Sequence, residues 1–392
     1  MTPENPYRYK TRVVNVGEVP MGGDNPVRVQ SMTNTDSLDT KSTVSQAIRM
    51  IEAGCEYVRI AVPYMREAEN LRKIKKELRQ QGYHTPIIAD VHFNAQIAEV
   101  AATIVEKVRI NPGNYVPLRI TRHATQENRA GIILEQMAER LSPLLKICKE
   151  HGTAIRIGVN HGSLSDRIMN FYGDTPLGMV ESALEFARIC ESQSFQNLVF
   201  SMKASNIRMM IAANRLLAER MQQAGMNYPI HLGVTEAGAG EDGRIKSAIG
   251  IGSLLADGIG DTIRVSLTED PEFEIPAAYS ILQSAGVRIT KTEFIACPSC
   301  GRTQYNIQEA LKNIQEKTSH LKGIKIAVMG CVVNGPGEMA DANYGFVGAG
   351  SGKIHLYKGQ KLIRKNIDES MAVEALIDLI KESGDWIETR TL

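Results

Sequence analysis

The segments KVRINP at residues 107–112 and AIRIGV at residues 154–159 belong to a set of eight short apolar runs that decide the fold of this chain. Gly, Pro, Asn or Asp bounds each run, and a helix-patterned stretch follows it. The other six runs are VRVQSM (27–32), YVRIAV (57–62), PIIADV (86–91), NLVFSM (197–202), IHLGVT (230–235) and TIRVSL (262–267). Eight strand–helix units predict a parallel sheet of the α/β class that closes into a (β/α)8 TIM barrel.

The stretches between these runs have the spacing of amphipathic helices. The first places three apolar residues on one face, Val44, Ile48 and Ile51. Asn94 is well suited to cap the helix that follows the third strand. The connection between the fourth and fifth strands, about 113–153, is longer than the others, and we expect an extra helix there.

Length and charge narrow the class of protein. The 392 residues suffice for a barrel of roughly 250 residues and a smaller second domain. We expect the two domains to be residues 1–288 and 289–392. A formal net charge of +1 provides no bulk basic field for a nucleic acid. No signal peptide and no run of about 20 apolar residues stands out, so we expect a cytoplasmic protein without a membrane partner.

Charged residues interrupt the apolar strands in a regular way. The triplet Val/Ile–Arg–Ile/Val occurs in four strands, at Arg59, Arg109, Arg156 and Arg264. Since side chains alternate along a strand, Val and Ile would pack outward and the arginines would point into the barrel. Lys203 adds a fifth cation, against the carboxylates Asp90 and Glu236. A buried surplus of positive charge predicts a phosphate or diphosphate site, although a single arginine would more often have an internal carboxylate partner.

Other candidates near this site give weaker signals. His92 follows the third strand, and a structural histidine is as good an interpretation as a catalytic one. The segment GAGEDG at residues 238–243 matches G-x-G-x-x-G, but it lies in the seventh unit and contains two acids that would repel a pyrophosphate. We therefore expect a glycine-rich loop beside Glu236 and no nicotinamide site.

The cysteines divide into two groups. Cys55, Cys148 and Cys190 lie singly in helical stretches and are expected to be small buried residues. The others occur as Cys297-Pro-Ser-Cys300 and a lone Cys331, in a region whose pattern predicts a small α+β domain.

Three thiolates are one ligand short of a closed structural zinc site. The segment Asn334-Gly-Pro-Gly337 predicts a tight turn that could return Glu338 to the cysteines. Three thiolates and a carboxylate suit an iron–sulfur cluster with one exchangeable iron. A zinc ribbon that uses His320 or His355 remains the alternative. A radical-SAM enzyme is disfavoured, because no C-x-x-x-C-x-x-C motif occurs.

Long motifs carry a resemblance over nearly the whole chain. They include VQSMTNTDSLDT, ADVHFN, EKVRINPGN, IRIGVNHGSL, MKASN, LGVTEAGAGEDGRIKSAIGIGSLLADGIGDTIRVSL, CPSCGRT and MGCVVNGPGE. The chain resembles the 4-hydroxy-3-methylbut-2-enyl diphosphate synthase family, two-domain bacterial type. The resemblance implies a barrel followed by a [4Fe–4S] domain, without the further domain that some relatives insert between the two.

The resemblance also implies roles for particular residues. The cluster ligands would be Cys297, Cys300, Cys331 and Glu338, and the catalytic glutamate of the T-E-A-G motif would be Glu236. The diphosphate would be bound by Arg59, Arg109, Arg156, Lys203, Arg264 and Ser266, with His92, Asn111 and Asn160 nearby. The correspondence is weakest around residues 114–150.

The implied reaction is the reductive ring opening of 2-C-methyl-D-erythritol 2,4-cyclodiphosphate. The cluster would supply two electrons from flavodoxin or ferredoxin, and Glu236 would act as acid or base in the loss of water. The resemblance further implies a head-to-tail homodimer in which each cluster domain caps the partner's barrel. Two alternatives remain: a non-redox iron–sulfur lyase, and a phosphate-binding barrel with a structural zinc module.

Overall fold

The chain forms two compact units that divide between Arg288 and Ile289. The computed structural model describes residues 8–116, 126–333 and 335–388, with the backbone alone for 126–130. None of the helices in these ranges is long and apolar enough to span a membrane.

Eight parallel strands form the barrel of the first unit and confirm the predicted β/α fold. They are β3 (Arg28–Met32), β4 (Tyr57–Ala61), β5 (Ile87–Asp90), β6 (Lys107–Ile110), β7 (Ala154–Asn160), β8 (Leu198–Lys203), β9 (His231–Leu232) and β10 (Thr262–Ile263). Their order is β8-β7-β6-β5-β4-β3-β10-β9, and a parallel bridge between Phe200 and Ile230 joins the two ends of that order. The last two strands are shorter than their apolar runs.

Ten helices connect these strands or follow them in the described part of the first unit. They are α1 (Thr40–Glu52), α2 (Met65–Gln80), α3 (Ala95–Ala102), α4 (Pro112–Tyr115), α5 (Gln126–His151), α6 (Asp166–Tyr172), α7 (Pro176–Ser192), α8 (Ile207–Gln223), α9 (Gly240–Ala256) and α10 (Glu274–Ser284). Asn94 caps α3 as predicted, because its side chain accepts a hydrogen bond from the Gln96 N–H. The long connection contains α4 and α5, so the expected extra helix is present.

The strand side chains separate into an outer and an inner set. Outward Val and Ile residues such as Val108, Ile110 and Ile155 pack with the helices in the main core. At the amino-terminal end, an apolar floor closes the barrel where the hairpin of β1 (Val14–Val16) and β2 (Val19–Met21) packs on four inward residues: Tyr57, Ile88, Ala154 and Val199.

Two positions further along the same strands, the inward residues are polar: Arg59, Asp90, Arg156 and Ser201. TIM-barrel interiors are usually filled by Val, Ile and Leu. The carboxyl half of this barrel is therefore built for a polar ligand rather than for packing alone.

The second unit is a five-stranded mixed sheet with helices, as the predicted α+β domain requires. Its strands are β11 (Glu293–Ala296), β12 (Lys325–Met329), β13 (Tyr344–Gly350), β14 (Lys353–Lys358) and β15 (Lys361–Asp368). The first three are parallel, and the last two add antiparallel neighbours. The helices are α11 (Ile307–Thr318), α12 (Gly335–Glu338) and α13 (Glu369–Glu382). Separate apolar clusters cover the two faces of the sheet.

Candidate active site

Five cationic side chains lie in the carboxyl half of the barrel, as the alternation along the strands predicts. We call Arg59, Arg109, Arg156, Lys203 and Arg264 the cationic cluster. Arg109 and Arg156 are each 1% exposed, and Arg59 and Lys203 are also buried. Arg264 is half-buried. Two strand glycines make room for these long side chains. A Cβ at Gly158 would lie 2.6 Å from Arg109 Nε, and one at Gly233 would lie 2.9 Å from Lys203 Nζ.

Asp90 joins one side of the cluster. Its Oδ2 accepts from Arg59 Nη2 at 2.5 Å, and its Oδ1 accepts from Arg109 Nη1 at 3.3 Å. Burial would raise the pKa of Asp90, but Arg59 and Arg109 hold it well below its usual value. His92 lies against the same groups, with Nε2 3.3 Å from Asp90 Oδ2 and 2.6 Å from Arg109 Nη1. Asp90 therefore remains ionised and fixes two guanidinium groups.

Glu274, at the start of α10, holds the opposite side of the cluster. Its carboxylate accepts from Arg264 Nε and Nη2, each at 3.2 Å, from Ser31 Oγ at 2.6 Å and from the Leu267 N–H at 3.1 Å. The β3–β10 pairing stops at Val29 and Ile263, one residue below Arg264. Glu274 thus ties the two strands together where their backbone ladder ends.

The expectation that Glu236 would be the second carboxylate of this cluster is wrong. Glu236 is exposed, whereas the side chain of Glu274 is 3% exposed and pairs with Arg264. Glu236 has a φ of +56°, a left-handed conformation that a non-glycine residue adopts at a cost of about 1 kcal/mol or more. Its backbone conformation marks it as a constrained position at the end of the seventh barrel unit.

Positive charge remains unbalanced inside the barrel. Lys107, on the same inward face of β6 as Arg109, is fully buried and adds a sixth basic side chain that sequence reasoning missed. Arg156 donates to Ser201 Oγ at 2.7 Å, but its Nε and Nη2 have no partner among the described residues. Burial lowers the pKa values of Arg156 and Lys203 well below their usual range; the next cause is the nearby Arg59 for Arg156, and Arg156 for Lys203. Two carboxylates therefore face six basic side chains, an arrangement that a bound anion would stabilise.

The remaining predicted barrel residues surround this cluster in different states. Asn111 is buried, donates to Ser163 Oγ at 2.8 Å and accepts from the Gly113 N–H, so its amide is engaged locally. Asn160 ends β7, and Ser266 follows Arg264 by two residues; both are partly exposed.

The segment GAGEDG is only partly a loop, because α9 begins at Gly240. The Gly240 N–H donates to Glu269 Oε1 at 2.8 Å, and Arg244 forms two hydrogen bonds of 2.7 Å with the same carboxylate. An acidic side chain therefore occupies the start of this helix, which agrees with the exclusion of a dinucleotide pyrophosphate there.

In the second unit, the four predicted ligands line one cleft of about 170 Å³: Cys297, Cys300, Cys331 and Glu338. Cys297 follows β11, and Cys331 follows the adjacent parallel strand β12, so both thiols lie at the carboxyl edge of the sheet. The Gly330 N–H donates to Cys297 Sγ at 3.2 Å. Backbone and side-chain hydrogen bonds from Arg302 lower the pKa of Cys300, which favours its thiolate.

Glu338 reaches this cleft from α12, a single helical turn rather than the predicted tight turn; Asn334 lies outside the described residues. Three thiols and a carboxylate around one cleft match the donor set of an iron–sulfur cluster. Within residues 8–116, 126–333 and 335–388, no three His, Cys, Asp or Glu side chains converge as they would around a single metal ion.

The histidines of the zinc alternative are engaged outside this cleft. His320 contacts the Ile387 carbonyl at 2.9 Å, and His355 accepts from the Asn366 N–H at 3.1 Å. The three barrel cysteines are buried, as predicted, and burial raises the pKa values of Cys55 and Cys190 to about 12.

Comparison with known proteins gives the same division into a barrel and a C-terminal domain. Residues 11–279 match the GcpE TIM-barrel domain, and residues 293–382 match the GcpE protein C-terminal domain. A relative from Picosynechococcus is 56% identical over 385 residues, which cover 97% of this chain and 95% of the relative. A relative from Prochlorococcus marinus is 55% identical with the same coverage. Both are named 4-hydroxy-3-methylbut-2-en-1-yl diphosphate synthase (ferredoxin). The chain belongs to the 4-hydroxy-3-methylbut-2-en-1-yl diphosphate synthase family.

Proposed function

We propose that this protein catalyses the reductive ring opening of 2-C-methyl-D-erythritol 2,4-cyclodiphosphate to 4-hydroxy-3-methylbut-2-enyl diphosphate. The observation that carries the proposal is the group of six buried or half-buried basic side chains that faces two carboxylates inside the barrel. A diphosphate supplies the missing negative charge, and guanidinium groups match its oxygens in bidentate fashion.

The substrate site consists of the cationic cluster with Ser266, His92, Asn111 and Asn160 around it. Asp90 and Glu274 orient three of the arginines, so that little rearrangement is needed when the anion arrives. Burial excludes water from Arg109 and Arg156, which strengthens their attraction for phosphate. The barrel unit up to Arg288 is thus the substrate-binding domain.

The unit that begins at Ile289 is the cluster domain. Cys297, Cys300, Cys331 and Glu338 would hold a [4Fe–4S] cluster, with Glu338 as the weakest and therefore exchangeable ligand. When bound, such a cluster supplies one-electron transfers and a Lewis-acidic iron.

Glu236 acts as the acid or base in the loss of water. It follows the seventh barrel strand at the carboxyl end of the barrel, where TIM-barrel active sites lie, and its carboxylate is exposed. Its left-handed backbone fixes the direction in which the side chain leaves the strand end.

Ferredoxin is the proposed electron donor, because the relatives from Picosynechococcus and Prochlorococcus marinus carry it in their names. We further propose a head-to-tail homodimer in which a partner covers the barrel mouth. Large apolar side chains that follow the strand ends support a covered surface: Leu38, Tyr64, Phe93, Phe171 and Phe273 are 38–81% exposed.

The test is an anaerobic assay of the full chain after cluster reconstitution. The protein is incubated with the cyclodiphosphate and reduced ferredoxin, and the products are followed by phosphorus NMR. Linear allylic diphosphate that forms only with the reduced donor supports the proposal. Product without a donor would indicate a non-redox lyase, and bound zinc in place of iron would indicate a structural metal module.

A further inference from the structure

Three polar side chains on different strands point into the barrel: Gln30, Lys107 and His231. They are between 0 and 1% exposed. Gln30 Nε2 and Oε1, Lys107 Nζ and His231 Nε2 have no hydrogen-bond partner among the described residues. Buried polar groups are normally paired, so the lack of partners at these three side chains needs an explanation.

Lys107 is the member with the most unusual surroundings. Its Nζ lies 4.8 Å from the centre of the Tyr57 ring, whose hydroxyl donates to the Val19 carbonyl. Arg109 is on the same inward face of β6, and Arg156 lies on the neighbouring β7. The nearest carboxylate of the cluster, Asp90, is already shared by Arg59, Arg109 and His92.

Among the described residues, the charged groups that act on Lys107 are therefore cations or potential cations. They are Arg156 from β7, Arg59 from β4 and His231 from β9. Burial, followed by Arg156 and Arg59, lowers the pKa of Lys107 well below its usual value. The Tyr57 ring attracts the charged amine only weakly in comparison with this repulsion and the loss of water.

The negative charge of a bound ligand affects the protonation state of Lys107. A cyclic diphosphate carries one ionised oxygen per phosphorus, and a linear diphosphate monoester carries more. Bound in the cationic cluster, either anion screens Arg59 and Arg156 from Lys107 and stabilises its ammonium form.

We propose that Lys107 is a positioning residue of the diphosphate site that is uncharged in the free protein and takes up a proton from solvent when a diphosphate binds above it. The inference rests on the proposed function of the cationic cluster. A neutral Lys107 spares the free barrel a sixth positive charge, and the protonated side chain supplies that charge once the anion is present.

Because proton binding to Lys107 is linked to diphosphate binding, the direction in which the affinity changes with pH is fixed. Because the ligand raises the pKa of Lys107, the affinity for diphosphate is greatest at pH values below the pKa that Lys107 has in the free protein. It falls as the pH rises through the two pKa values, the second being that of the complex. A lysine charged in both states would give no such dependence.

The experiment is titration calorimetry of the reconstituted full chain with inorganic pyrophosphate at pH 8, in buffers of different ionisation enthalpy. Wild type is compared with Lys107→Met, which fills the space with an apolar chain, and with Lys107→Gln, which keeps a polar group. Lys73→Met, at an exposed position on α2, is the matched control. Protonation of the pyrophosphate itself is common to all four proteins and cancels in the comparison.

We expect wild type and Lys73→Met to take up as much as about one proton more per bound pyrophosphate than either Lys107 variant. Equal proton uptake in all four proteins would overturn the role of Lys107 and leave the diphosphate site intact. Absence of pyrophosphate binding to wild type would instead contradict the proposed function of the cationic cluster, and the inference with it.

Discussion

Replacement of Glu274 by Gln tests how the barrel holds Arg264. The carboxylate accepts four hydrogen bonds, two from Arg264 and one each from Ser31 and Leu267. A glutamine amide has the same shape but carries a donor on one side. Ser31 can rotate its hydroxyl to accept from that donor, whereas an arginine N–H cannot.

The variant therefore loses at least one charge-assisted hydrogen bond and the charge that balances a buried guanidinium. Each charge-assisted bond contributes about 1.5–3 kcal/mol, and the broken ion pair adds to this. Because the Arg264 side chain is 16% exposed, water offsets part of the loss, and we expect the free energy of unfolding to fall by about 2–3 kcal/mol. For a barrel of this size the Tm should drop by roughly 3–5 °C.

The functional effect should appear mainly in substrate binding. An Arg264 released from Glu274 loses its orientation toward the anion, so KM should rise about tenfold, equivalent to about 1.4 kcal/mol, with kcat little changed. Glu272→Gln is the matched control, since Glu272 pairs with the 49%-exposed Arg49, and such pairs contribute about 1 kcal/mol or less. Unchanged KM and Tm in Glu274→Gln would refute a positioning role for this carboxylate.

Three further substitutions test other parts of the site. Gly158→Ala places a methyl group 2.6 Å from Arg109 Nε and should weaken pyrophosphate binding about tenfold or more by calorimetry, whereas Gly162→Ala, with open space around it, should not; equal affinities would contradict the close-approach argument. Glu236→Gln should retain iron and substrate affinity but lose about 10²–10⁴-fold in kcat, and full turnover would exclude its acid–base role. Cys331→Ser should lose the visible absorption of the reconstituted protein while Cys190→Ala keeps it; an intact spectrum in Cys331→Ser would remove that residue from the ligand set.

The barrel and its inward arginines could be predicted because the physics of a strand is local. A period of two places Arg109 opposite Val108 and Ile110 whatever the neighbouring elements do, and the structure has these Val and Ile residues in the main core. The same alternation places Lys107 on the face of Arg109. That signal is present in KVRINP, although Lys107 lies outside the repeated Val/Ile–Arg–Ile/Val triplet.

Glu274 could not be found in this way. It lies beyond the last barrel strand, in an apolar helix, and reaches Arg264 and Ser31 only because of how α10 docks at the seam of the barrel. Glu236 directly follows the seventh apolar run, which predicts a place near the cluster, but in the structure its backbone is left-handed and its carboxylate is exposed. Such contacts depend on tertiary orientation, which strand periodicity does not encode.

In the second unit, spacing predicted which residues share a cleft but not how the chain brings them there. The C-x-x-C motif and the lone Cys331 are adjacent because β11 and β12 pair in parallel, a pairing that the spacing of the cysteines does not encode. Pro336 does not prevent residues 335–338 from forming a helical turn, since proline fits the first turn of a helix.

The most direct test of the central claim is an electron count in the anaerobic reaction. The reconstituted protein, with about four irons per chain, is supplied with excess cyclodiphosphate and a limiting, known amount of a one-electron reductant. For a reductive mechanism we predict one linear allylic diphosphate and one water for every two electrons consumed. No product should form once the reductant is exhausted. Product that continues without oxidation of the reductant, or reductant consumed without ring opening, would contradict a reductive mechanism at this site.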